Sequence, residues 1–153
     1  MRLVVQRVDR ASVSVNDQII SSIGTGLLIY LGIEKGDRTE DADSLLEKVI
    51  HLRVFEDSDR KMNLSLLDVA GGMLVVSQFT LLGDCRKGRR PSFVRAEDPV
   101  PAKALYQYFI TKAAERIAPV AAGEFQAMMK VSLVNDGPVT MLLDSKKNAL
   151  GGF

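Results

Sequence analysis

Only two stretches of this chain repeat apolar residues at helical intervals; the rest of its apolar content falls in short runs separated by turn signals. Such a chain must bury most of its hydrophobic surface in a sheet. Residues 2 to 8 and 11 to 15 predict two strands, the second alternating Ala11, Val13 and Val15 with Ser12 and Ser14 so that one face stays wet. Asn16-Asp17-Gln18 signals a turn and Ile19 to Ile23 a short strand. Gly24-Thr25-Gly26 is a second break before the apolar run Leu27 to Ile33, which reads as a central strand. Arg53 to Glu56 and Met73 to Gln78 predict two more strands, the latter buried and followed by a loop, with turns at Asp57 to Asn63 and Ala70-Gly71-Gly72. Met128 to Val134 and Val139 to Leu143 supply the last two, separated by Asn135-Asp136-Gly137-Pro138.

The two helices have clear starts. Asp37-Arg38-Thr39-Glu40 has the spacing of a capping box, and Ala42, Leu45, Leu46, Val49 and Ile50 follow at helical intervals. Asp98-Pro99-Val100-Pro101 opens the second, because proline suits a first turn whose amide lacks a partner anyway. Ala102, Leu105, Tyr106, Phe109, Ile110, Ala113 and Ile117 then line one face, and Pro119 and Gly123 close the segment. Hairpin-like turns outnumber helical crossovers. The expected fold is therefore α/β, a mixed, largely antiparallel sheet curled toward a barrel with two main helices, rather than a doubly wound one. With 153 residues and no repeat, low-complexity tract or linker, one domain over residues 1-153 is expected.

Charge and cysteine content narrow the function classes. Lys and Arg total 20 against 19 Asp and Glu, so no global field draws the protein to nucleic acid or membrane and any anion site must be local. The single cysteine, Cys85, excludes an intrachain disulfide and fits a reducing compartment, with cytosol the default. Charges at Arg2 and Arg7 interrupt the place where a signal peptide needs an apolar core, and Leu27 to Ile33 is too short to span a bilayer. One histidine and one cysteine are too few for a Cys/His metal cluster, so no metal is expected. His51 sits in a helical pattern, where a lone histidine is more often a solvent-edge residue than a catalyst.

Three segments have residue types that suit chemistry, each with a plainer explanation. Ser77-Gln78-Phe79-Thr80-Leu81 places polar residues where a buried strand ends, the position from which side chains and amides reach a cleft; a strand leaving for solvent looks the same. Arg86, Lys87, Arg89 and Arg90 put four cations in five positions around Gly88, as a phosphate-contacting loop does, and as a solvated basic loop does. Asn135-Asp136-Gly137-Pro138 is explained by a tight turn alone, although a Gly-Pro peptide also has access to the cis form. No nucleophile is visible with its base: one histidine makes a Ser-His-carboxylate triad improbable, there is no Gly-x-Ser-x-Gly elbow, and no Lys or His near Thr80 is evident to activate it. Phosphate-loop and dinucleotide fingerprints are absent.

Four segments together resemble one family. Val5-Gln6-Arg7-Val8 with Ala11-Ser12-Val13, then Met62-Asn63-Leu64, then Ser77 to Leu81 running on to Arg90-Pro91-Ser92-Phe93, and finally Val131 to Thr140 are similar, in order and at matching separations, to bacterial D-aminoacyl-tRNA deacylases. The resemblance runs from end to end; only the tail Asp144 to Phe153 looks longer than usual. It implies the deacylase fold, hydrolysis of D-aminoacyl-tRNA, no metal or organic cofactor, and a homodimer with active sites at the subunit interface. It implies that Ser77, Gln78, Phe79 and Thr80 line the pocket for the aminoacylated terminal adenosine. Gly137 and Pro138 would form a cis dipeptide inserted from the partner subunit to exclude L side chains, with Arg7 holding it and Phe125 packing on the adenosine. Such a site needs no triad, since an aminoacyl ester is already activated and the ribose 2′-hydroxyl stands beside it; Thr80 as covalent nucleophile is the rival mechanism. A wall against one side of the α-carbon rejects L side chains but lets glycine through. The competing class is a non-catalytic tRNA-binding module resting on the basic loop, which predicts affinity without turnover.

Overall fold

Residues 2 to 8 and 11 to 15 form one continuous strand, β1 (Arg2–Val15), and this strand organises the sheet. In a computed structural model that describes residues 1–146, β8 (Met129–Asp144) runs antiparallel along one edge of β1 over almost its whole length. The other edge is shared between β2 (Gln18–Ile23), which pairs with Ala11 to Val15, and β3 (Gly26–Gly32), which pairs with Arg2 to Val8. Asn16 and Asp17, with φ of 51° and 62°, make the tight turn from β1 into β2. Two parallel neighbours extend the sheet beyond β3: β6 (Gly72–Ser77) and β7 (Val120–Ala122). A separate short hairpin joins β4 (Phe55–Glu56) and β5 (Met62–Leu64).

The sheet is thus mixed and barrel-like, with two helices, as the sequence predicts. Both helices are crossovers between parallel strands: α1 (Thr39–Ile50) lies between β3 and β6, and α2 (Pro99–Ala114) between β6 and β7. Their apolar faces, including Leu45, Leu46, Val49, Tyr106 and Phe109, pack on Leu3, Val5, Ile29, Leu31, Met73 and Val75 of the sheet. Phe109 is wholly buried, and burial of a side chain of this size stabilises the fold by roughly 1.5–3 kcal/mol.

Along β1 the inward face changes. Leu3 and Val5 belong to the helix-side core, whereas Val8, Ala11 and Val13 join Ile23, Leu28, Leu74 and Val76 in a second core on the opposite face. The exchange follows from register shifts against β8 between Gln6 and Arg10, since one extra residue turns every later side chain over. The half of the sheet carrying β2 and the start of β8 therefore folds over the parallel strands and curls toward a barrel, with Met129, Val131 and Leu133 against the second core.

Several local expectations need correction. The segment Asn135 to Pro138 does not separate two strands; it is an irregularity within β8, with Gly137–Pro138 in the cis form. Gly26 and Gly72 are the first residues of adjacent parallel strands rather than turn residues. A β-carbon on Gly26 would stand 1.9 Å from the Gly72 carbonyl oxygen, so the backbones approach as only glycine allows. The strand expected over Arg53 to Glu56 is just Phe55–Glu56, Met62 and Asn63 are in β5 rather than a turn, and β7 was not foreseen. The cap of α1 is one residue later than the spacing suggests: Asp41 accepts from the Arg38 N–H at 2.9 Å. Asp37 is buried instead, accepting from the Glu34 N–H and paired with the Met1 amine at 2.8 Å. Of the tail Asp144 to Phe153, residues 147–153 lie outside the described residues.

Candidate active site

Three parallel strands end side by side: β3 at Gly32, β6 at Ser77 and β7 at Ala122. A crevice outside the carboxyl ends of parallel strands is where side chains from successive loops converge. Here it is a cleft of about 600 Å³ with an apolar floor of Leu31, Ile33, Val76 and Ala102. Ser77, Gln78 and Phe79 form one wall; Phe125, Gln126, Ala127 and Met128, which follow β7, form the other. Ala96, Glu97 and Pro99, at the start of α2, complete the rim.

After Ser77 the chain tightens into a 3₁₀ turn, Phe79–Leu82. It is anchored at both ends: the Gln78 N–H donates to the Leu31 carbonyl at 2.8 Å, and Arg2 Nη1 donates to the Leu81 carbonyl at 3.1 Å while its Nε pairs with Asp144 at 2.8 Å. Thr80 is exposed on this turn, and its hydroxyl accepts from the Gln78 side-chain amide. Among the described residues, no histidine or lysine is hydrogen-bonded to it. His51 caps the far end of α1, half exposed, with Nδ1 3.0 Å from the Glu47 carbonyl and 3.1 Å from its carboxylate.

Phe79 is 58% exposed and meets Phe93 edge-on at a centroid distance of 5.1 Å. That contact joins the cleft to the basic loop, whose ends are closed by the paired backbones of Asp84 and Ser92. Within the loop Arg86 is engaged: its Nε lies 2.9 Å from Asp84 Oδ1 and its Nη2 pairs with Oδ2. These side-chain hydrogen bonds hold the Asp84 carboxyl well below the usual carboxylate range. Lys87, Arg89 and Arg90 are exposed.

The remaining expected residues form a second group. Gly137 and Pro138 are absent from the lining of the cleft, and so is Arg7. Arg7, buried on β1, has Nε 2.8 Å from the Asp136 carboxylate and 3.1 Å from the Asp136 carbonyl oxygen, and Nη1 donates to the Val54 carbonyl. Phe125 belongs to the first group and packs against Tyr106 at 5.7 Å. Within one chain, then, Ser77, Gln78, Phe79 and Phe125 come together, and Arg7 with the Gly137–Pro138 segment stands apart.

Gln126 and Met128 escaped the sequence reading. Gln126 has φ of 66°, a left-handed conformation uncommon outside glycine that turns this wall into the cleft, and Met128 is 91% exposed at its edge. No sequence signal marks either, because their position depends on the unforeseen β6·β7 pairing. Among the described residues no cluster of three or more His, Cys, Asp or Glu side chains is placed to hold a metal ion, and no helix is long and apolar enough to cross a membrane.

Comparison with known proteins places this arrangement. The sequence model of D-Tyr-tRNA(Tyr) deacylase matches residues 4–144. The D-aminoacyl-tRNA deacylase of Syntrophus aciditrophicus is 70% identical over 147 residues, covering 96% of this chain and 99% of that protein. The protein of the same name from Petrotoga mobilis is 56% identical over 148 residues, with the same coverage of each. A solved structure titled c-Myc DNA Unwinding Element Binding Protein superposes with a TM-score of 0.90 at 40% identity, over 95% of this chain and 99% of that one. A probable eukaryotic D-amino acid tRNA deacylase shares the fold at 19% identity, with a TM-score of 0.77 over 94% and 98% of the two chains.

Proposed function

This chain belongs to the D-Tyr-tRNA(Tyr) deacylase family, and from that membership we propose that it hydrolyses the ester joining a D-amino acid to the terminal adenosine of tRNA. The observation that carries the reading is the cleft itself. It offers an apolar floor and two aromatic side chains, Phe79 and Phe125, to a nucleoside, with the polar Ser77 and Gln78 at one wall and Thr80 on the turn just beyond it.

Water adds to the ester carbonyl carbon, the bond from that carbon to the ribose oxygen breaks, and the ribose oxygen takes up a proton. The amides of Phe79 and Thr80 open a 3₁₀ turn, where backbone N–H groups have no acceptor within the turn, and they suit a developing oxyanion. The only histidine is engaged elsewhere with Glu47, so the substrate's own 2′-hydroxyl is the better proton relay, and Thr80 serves as a binding group rather than a nucleophile.

The separation of Gly137–Pro138 from the cleft within one chain supports a homodimer in which the segment of a second copy closes the site. There it rejects L side chains and admits D side chains and glycine, so that the enzyme proofreads the chirality of aminoacyl-tRNA. The exposed Lys87, Arg89 and Arg90 support contact with tRNA phosphates beside the cleft, and a tRNA substrate is consistent with a cytoplasmic protein. The reading requires no metal or organic cofactor.

A deacylation time course with D-tyrosyl- and L-tyrosyl-tRNA at catalytic enzyme concentration tests the proposal. Release of D-tyrosine alone is expected. Binding of tRNA without turnover would replace the enzyme with a tRNA-binding module.

A further inference from the structure

The two cleft walls part company at one point in the sheet. The β6·β7 ladder ends at Val75 opposite Ala122; beyond it, β6 leads to Ser77, Gln78 and Phe79, and the chain after β7 leads to Phe125 and Met128. At the fork the Val75 carbonyl accepts the Gly123 N–H at 2.9 Å. It also accepts the Tyr106 hydroxyl at 2.8 Å, and that hydroxyl lies 3.1 Å from the Gly123 carbonyl as well. Tyr106 is 3% exposed, its hydroxyl is a donor at neutral pH as any phenol is, and burial pushes the phenol further from ionisation, up to about 12. From the same side chain the ring packs against Phe125 at 5.7 Å with a 42° tilt.

We propose that Tyr106 is a positioning residue of the site: its hydroxyl bridges the two strands where the walls diverge, its ring backs Phe125, and together they set the width of the slot for adenosine. The identity of the ligand rests on the deacylase reading above; the positioning role rests on these contacts. Tyr106 itself does not line the cleft and acts through Phe125 and the backbone of Val75 and Gly123.

Tyr106→Phe keeps the ring and removes the bridge. Adenosine 5′-monophosphate probes the slot without turnover, and D-tyrosyl-tRNA kinetics and Tm are measured alongside. Loss of one net hydrogen bond from the slot's support is expected to weaken nucleotide affinity about fivefold and raise KM similarly, with kcat held within about twofold. In a Phe125→Leu background, where the ring contact is already altered, the same change is expected to add less than about twofold. A lowered Tm with unchanged nucleotide affinity and KM reduces Tyr106 to core packing and overturns the proposal, as does full additivity with Phe125→Leu or a wild type that binds no nucleotide. A wild type that binds the nucleotide but cleaves no D-tyrosyl-tRNA overturns the deacylase reading instead, and the affinity comparison still decides the role of Tyr106.

Discussion

Arg7 grips Asp136 at two atoms: its Nε stands 2.8 Å from the carboxylate and 3.1 Å from the carbonyl oxygen of the residue that immediately precedes Gly137. The guanidinium is almost fully buried while the carboxylate is 42% exposed, so the pair is held from the protein side. Its Nη1 ties the same group to Val54, ahead of β4.

Replacing Arg7 with alanine leaves the Val54 carbonyl and the Asp136 carboxylate without their donor, and about 2 kcal/mol of stability is expected to go with them. Arg7→Lys keeps the charge but loses the fork that reaches both partners. It should lose less stability than Arg7→Ala in urea titrations, yet cleave D-tyrosyl-tRNA at least about tenfold more slowly. Wild-type kcat/KM in Arg7→Lys would assign the arginine to folding alone.

A β-carbon on Gly137 would stand 2.8 Å from the Val139 backbone nitrogen and 2.5 Å from the Asn135 side-chain amide. The amide can swing aside, but the backbone of the segment must shift. Gly137→Ala is therefore expected to impair D-substrate cleavage more than folding, while wild-type enzyme cleaves glycyl-tRNA and spares L-tyrosyl-tRNA. Equal wild-type rates on D- and L-tyrosyl-tRNA would falsify the assignment of this segment to chiral selection.

Thr80→Ala should retain most activity, because the Thr80 hydroxyl is hydrogen-bonded to the Gln78 amide and, among the described residues, to no group that could take its proton. Quenched-flow mass spectrometry is the check. An acyl group trapped on Thr80 would reinstate the covalent route.

In the basic loop the arginines are not equivalent. Alanine at Arg89 and Arg90 should weaken tRNA binding and flatten its salt dependence, each lost phosphate contact removing roughly 0.7–0.9 from the log-log slope. Arg86→Ala should change the slope less, because Arg86 is already paired with the Asp84 carboxylate, which offsets its charge. Equal slopes in all variants and wild type would leave the loop as solvated surface.

A site closed by a second copy requires a dimer at working concentration. Sedimentation at micromolar protein should give about twice the chain mass. A fully active monomer would sink the shared site.

What could be read from the residues alone divides along physical lines. Strands and helices with strong periodicity, such as Leu27 to Ile33 and the buried face of α2, were legible because local pattern and tertiary burial agree there. Asp9-Arg10 and Asn135 to Pro138 interrupt their apolar runs and look like ends of strands. Pairing between β1 and β8 carries both strands through these points, and no local signal announces a partner more than a hundred residues away. Asp37 looked like a cap, but the Met1 amine brought beside it draws it inward. At the site, Ser77 to Thr80 are singled out by the family resemblance, since polar residues where a buried strand ends look the same when the strand simply leaves for solvent. Gln126 and Met128 are not, since β7 is only three residues long and its parallel pairing brings them to the cleft. The Asp84–Arg86 pair is a separation of two residues within a turn, which a polar sequence leaves indistinct from any other exposed charge.

The long contact between β1 and β8, with Arg2 opposite Asp144 and Val15 opposite Met129, also fixes the order in which the molecule can be finished. During synthesis the first strand leaves the ribosome with its hairpin partner close behind, but the edge that β8 will cover presents its bare amides and carbonyls until nearly the whole of the chain has followed. Until β8 is in place, that edge is open to pairing with the edge of another chain.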